Sequence, residues 1–81
     1  MKKVEVQNGY YIVNELNQFH SYNDEPAIVI ETYMELNETN EDVQVPGYKA
    51  WYHNGQLHRE GAPAVIHDDG REYNYLKGDI Q

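Results

Sequence analysis

Apolar and polar residues alternate at every second position through the most regular stretches of this chain, the period of an extended strand rather than a helix. Tyr48, Ala50 and Tyr52 fall on one face of such a stretch and Lys49, Trp51 and His53 on the other; Arg71, Tyr73 and Tyr75 take up the first face in a later segment. No segment keeps a helical period long enough to make a helix. The pattern therefore predicts a mainly β protein with little helix.

The pattern also repeats. Gly47 to His58 is echoed by Gly70 to Gln81 at an offset of 23 residues, with a second glycine eight residues after the first in both. Gly9 to His20 is a third copy in which Asn17 stands for the second glycine, as asparagine does where φ is positive. Pro63-Ala64-Val65-Ile66 follows His58 as Pro26-Ala27-Ile28-Val29 follows His20, with one residue more in the earlier loop. On this ungapped alignment Trp51 matches Val13 and Asn74, and it reads as core.

Each unit is thus strand, turn, strand, loop, strand. Asn54-Gly55 supplies the two positive-φ residues of a tight hairpin, and Asp69-Gly70 and Asn8-Gly9 give the same signal at the other bend. The expected architecture is an antiparallel meander of about three β-hairpin repeats in one small sheet, a single domain over 1–81. Its copies lie near 9–30, 47–66 and 70–81.

Residues 31–46 are an insertion in the first copy. Ile28, Ile30, Thr32, Met34 and Leu36 form one face of a long predicted strand, with Val29, Glu31, Tyr33 and Glu35 on the other. Asn37 to Asp42 is its polar turn and Val43-Gln44-Val45 its return. A short helix over Thr32 to Leu36 is the alternative.

Charge sharpens the picture. The net charge is −8, and no lysine or arginine lies between Lys3 and Lys49, a stretch holding nine acids. From Lys49 onward four bases nearly balance five acids. Such a surface repels phosphate backbones and anionic membranes, which excludes direct nucleic-acid binding and membrane attachment. With no cysteine and no apolar run fit for a signal peptide or membrane span, a soluble cytoplasmic protein is expected. Eight tyrosines provide aromatics suited to half-buried strands and binding surfaces.

The run Trp51-Tyr52-His53-Asn54-Gly55-Gln56-Leu57-His58-Arg59-Glu60-Gly61-Ala62-Pro63-Ala64 resembles a repeat of small proteins from tailed bacteriophages and large viruses, and is loosely similar to MORN-type hairpin repeats. The match covers about residues 47–78. Ala62 stands where that pattern has a glycine before the proline, with Gly61 one place earlier. The resemblance implies an antiparallel sheet of hairpins, a viral origin and hence the host cytoplasm. It implies no reaction.

His20, His53, His58 and His67, with Glu60, Asp68 and Asp69 nearby, lack the spacing of a zinc motif. Because His20 and His58 recur at one place in the unit, they read as structural, for example bonding a loop carbonyl. There is no Gly-rich phosphate loop, Ser/His/Asp set or cysteine nucleophile, so neither enzyme activity nor a metal or other cofactor is expected. A metal-dependent hydrolase is the least supported alternative. The single-sign field instead points to a basic partner protein, docked by one acidic face of Glu31, Tyr33, Glu35, Glu38, Glu41 and Asp42 with tyrosines, Tyr33 among them, as anchors. The expected function is that of a phage-encoded inhibitor of a host nucleic-acid-handling or antiviral defence protein, with nucleic-acid mimicry as one version of it. The alternative is an assembly module that forms homo-oligomers through its sheet edges.

Overall fold

A chain of short alternating runs punctuated by Asn and Gly forms short antiparallel ladders closed by tight turns. The computed structural model describes all 81 residues and contains twelve strands and no helix. They are β1 (Lys2–Val6), β2 (Gly9–Val13), β3 (Ile28–Ile30), β4 (Tyr33–Leu36), β5 (Asp42–Val45), β6 (Tyr48–Ala50), β7 (Tyr52–His53), β8 (Gln56–Leu57), β9 (Val65–His67), β10 (Glu72–Tyr73), β11 (Tyr75–Leu76) and β12 (Asp79–Ile80). With no helix at all, none is long and apolar enough to cross a membrane.

The repeats do not lie in one sheet. A six-stranded antiparallel sheet runs β1-β2-β3-β6-β9-β10, and three two-stranded ladders, β4-β5, β7-β8 and β11-β12, leave it. One end of the sheet carries the excursions of the three repeats: a one-bridge hairpin at Val13 and Phe19, then β7-β8, then β11-β12. The opposite end carries the turns after β1 and β9 and, between β3 and β6, the β4-β5 insertion. Insertion and repeat hairpins therefore occupy opposite ends of the molecule.

Strand pairing realises the period of two. Val4, Tyr11, Ile28, Ala50, Val65 and Tyr73 form one unbroken row across all six strands. The next row, on the other face, is Glu5, Tyr10, Val29, Lys49, Ile66 and Glu72. Phe19 meets Tyr11 edge to face at 5.6 Å between centroids and Tyr52 at 5.1 Å, which brings the repeat hairpins against the apolar row.

The repeat is kept in its hydrogen bonds. Phe19 O accepts from Gly55 N at 2.9 Å, and Leu57 O accepts from Gly78 N at 2.8 Å. His20 Nδ1 accepts from Asn54 N at 3.1 Å, and His58 Nδ1 from Lys77 N at 2.9 Å. Each recurrent histidine thus accepts a backbone N–H from the next hairpin, rather than donating to a carbonyl. In the first hairpin the turn amides are taken up within the hairpin itself. There Asn14 Oδ1 accepts from Leu16 N and Gln18 N, and Asn14 O from Asn17 N.

That loop holds one residue more than the two-residue turns at Asn54-Gly55 and Lys77-Gly78, so the ungapped alignment slips by one upstream of it. The His-position N–H bonds the carbonyl of Ile12, Trp51 and Asn74 in the three copies. Ile12, not Val13, is the counterpart of Trp51. Trp51 is core, 5 % exposed, and Ile12 is fully buried.

Two further expectations change. The turn after β1 is Gln7-Asn8, with φ 69° at Asn8, and Gly9 is the first residue of β2. A Cβ on Gly9 would run into the Val29 carbonyl oxygen, and one on Gly47 into that of Ile30. These glycines serve close approach to β3 from either side, whereas Gly55, Gly70 and Gly78 have positive φ. The long strand predicted over Ile28–Leu36 breaks at Glu31-Thr32, beside Gly47, and Tyr33–Leu36 is strand, not helix.

The core is small, with buried apolar side chains limited to Ile12, Val13, Ala27, Ala50, Trp51 and Ala64. Ile12 contributes ~1.5–3 kcal/mol by burial and the alanines much less, so backbone bonding and close packing carry much of the stability. Gly47→Ala should accordingly cost roughly 3 kcal/mol or more, through an overlap with backbone that cannot move aside. Gly61→Ala, in open space at φ 77°, should cost only about 1 kcal/mol through its left-handed backbone. Urea unfolding of both variants measures the difference, and equal costs would refute the close-approach role.

Candidate functional site

Local chemistry builds the insertion as a stiff hairpin. At its root, Thr32 Oγ1 donates to Asp68 Oδ2 at 2.6 Å and accepts from Gly47 N at 3.2 Å. At its tip, Asn37 Oδ1 accepts from Thr39 N, Thr39 Oγ1 and Glu41 N at 2.8–3.0 Å, and Asn40 takes φ 60°. This is the turn already seen at Asn14. Asn14-Glu-Leu-Asn-Gln18 and Asn37-Glu-Thr-Asn-Glu41 share the pattern Asn-Glu-X-Asn, a second repeat legible in the sequence but masked by the glycine repeat.

Pairing of Glu35 with Val43 and of Leu36 with Asp42 assigns the faces. Tyr33, Glu35, Val43 and Val45 share one, and Met34, Leu36, Asp42 and Gln44 the other. The acids do not make the single acidic face expected. Glu35 and Asp42 lie on opposite faces, Glu38 and Glu41 belong to the tip, and Glu31 precedes the root. All five are exposed. Segment 31–46 contains no lysine or arginine. The structure adds Asp68, held at the root by Thr32 although it lies far along the chain.

The most exposed large apolar side chains of the hairpin are Met34, at 60 %, and Leu36, at 61 %, with Val43 exposed to a lesser degree. Tyr33, expected as the anchor, is instead half-buried. It lines a cleft of about 670 Å³ between hairpin and sheet, with Met34 and Glu35 from β4, Ile30 and Tyr48 from the sheet, and the Gln7-Asn8 turn. Sequence reading placed Tyr48 in the scaffold, because its meeting with β4 depends on how the insertion folds back.

At the other end, Arg59 forms the joint between the first two copies. Its guanidinium lies 3.7 Å from the Trp51 ring centroid, donates to both Asp24 carboxylate oxygens at 3.0 Å and reaches Pro63 O at 3.1 Å. Trp51 Nε1 donates to Asp24 O at 2.9 Å. Arg59 is therefore a structural clamp. Asp69 is paired similarly, with Arg71 at 2.9 Å, and the hydrogen bond from Arg71 holds its carboxyl below the usual value.

The imidazoles of His20, His53 and His58 form a row, with centroids 4.9 and 5.9 Å apart. Acceptance at Nδ1 places the proton of neutral His20 and His58 on Nε2, the atom that would have to ligate a metal. No three histidine, aspartate or glutamate side chains converge as metal ligands. No protein-family model, curated protein or solved structure matches the chain, so its functional reading rests on this geometry.

The hydrogen bond from Arg59 also holds the Asp24 carboxyl below its usual value, against a smaller opposing effect of desolvation. The stability this confers is present above the unfolded carboxylate value of about 3.9 and is lost as pH falls through the lower folded value. Urea midpoints of the wild type should therefore drop as pH is lowered past about 4. Asp24→Asn should be less stable near neutrality and show a shallower acid loss, with Asp69 supplying the remainder. A variant with an unchanged acid profile would refute the assignment.

Proposed function

We propose that this is a phage-encoded binding protein that docks the β4-β5 hairpin on a basic surface of a host nucleic-acid-handling or antiviral defence protein in the host cytoplasm. The observation that carries the reading is a braced, exposed hairpin with five acids in and beside it, Met34 and Leu36 bare and no base. The acids steer approach, and the two apolar side chains supply area to bury on contact. Docked in this way, the carboxylates occupy positions that phosphates of a nucleic acid would take, and the protein acts by occlusion without a catalytic step. The alternative, assembly through sheet edges, has less support. The outer strand β1 carries Lys2, Lys3 and Glu5, charges of the kind that keep edges apart, and β10 is two residues long.

Affinity capture from host lysate tests the reading. A partner should be retained at about 0.1 M salt and released toward 1 M, where screening shortens from ~10 to ~3 Å. The variant Glu35→Lys/Glu38→Lys/Glu41→Lys should lose it, since the tip is held by Asn37 and survives the change. A partner held equally by both proteins at both salt concentrations would overturn the proposal.

A further inference from the structure

The cleft behind the hairpin has a composition that docking of the tip does not require. Two phenol rings, Tyr33 and Tyr48, and one carboxylate, Glu35, line it, with Gln7 as a further polar group and no lysine or arginine. The ion pairs of the protein use Asp24, Glu60 and Asp69, which leaves Glu35 without a cation. One carboxylate is too few for a metal ion, and a volume of about 670 Å³ suits an organic group. Phenol faces and a carboxylate together favour an organic cation.

The same protein shows which cation this pair of groups holds. Arg59 rests on the Trp51 ring while both its carboxylate bonds go to Asp24. The cleft brings two phenol rings and a free carboxylate into one lining with no such cation present. A guanidinium satisfies both at once, by stacking and by a forked hydrogen bond, whereas an ammonium is a compact, strongly hydrated point charge. We infer that the cleft receives an arginine side chain of the basic partner. This rests on the docking reading and extends it: the tip meets the field of the partner, and the cleft reads one residue of it.

N-acetylarginine amide tests the inference without the partner, by titration into the 15N-labelled full chain. Saturable shifts should centre on Tyr33, Glu35, Tyr48 and Gln7, with a dissociation constant on the order of millimolar, as for a ligand of this size. N-acetyllysine amide should bind several-fold more weakly. Glu35→Gln, at an exposed position, should keep a folded spectrum and weaken the arginine compound about tenfold through loss of the charged acceptor. Glu15→Gln, an exposed acid at the opposite end of the molecule, should leave binding unchanged. Shifts spread evenly over all the acids, or a Glu35→Gln variant that binds like wild type, would overturn the inference. Salt-sensitive partner capture without cleft shifts refutes the cleft and keeps the docking reading; cleft shifts without capture do the reverse.

Discussion

The fold depends on one line of backbone hydrogen bonds that runs through Ala27, Ala50 and Ala64. Ile12 N reaches Ala27 O at 2.7 Å, Ala27 N reaches Ala50 O at 2.8 Å, Trp51 N reaches Ala64 O at 2.8 Å and Ala64 N reaches Tyr73 O at 2.9 Å. Along this line every strand that enters a repeat hairpin leaves the main sheet. The three alanines are buried, and Ile12 and Trp51 close over the junction as its large side chains. With so little apolar volume to bury, the chain relies on satisfying backbone groups at close range.

From that line, both ends of the molecule take their character. On one side the hairpins stack by handing amides to the carbonyl and histidine of the preceding copy, so each unit is completed by its neighbour. The first unit satisfies its own turn through Asn14. On the other side the strands are joined by turns, and an insertion there disturbs no stacked hairpin. That is why the acidic hairpin can stand out from the sheet with Met34 and Leu36 exposed while the repeat frame stays regular.

Electrostatics follow the same division. Arg59 and Arg71 are engaged by Asp24 and Asp69, so these bases are spent within the frame. The acids of the insertion have no such partners. The chain's negative field is therefore concentrated on the exposed insertion hairpin, and Asp68 joins it from the repeat that looked nearly neutral in sequence. Burial raises the Tyr52 hydroxyl above its usual value, with smaller contributions from Tyr48 and Tyr75.

Alternation, Asn-Gly turns and the glycine-to-glycine repeat determined the all-β antiparallel meander, the positive φ of Asn17, Gly55 and Gly78, and the core position of Trp51. These are local properties, set by the chemistry of a few neighbouring residues. The acidic content of residues 31–46 was equally plain, because charge is additive along a chain. The pairing of Ile12 with Trp51 across the repeat was not legible, since one extra loop residue shifts the alignment without changing its appearance. Nor was the role of Gly9 and Gly47, which meet a backbone some twenty positions away in one case and seventeen in the other. Tertiary structure alone divided the acids between two faces and a tip, brought Asp68 to the hairpin root and set Tyr33 and Tyr48 in the lining of one cleft. Each of these depends on where the insertion folds back onto the sheet, a matter of contacts between segments that no local pattern records.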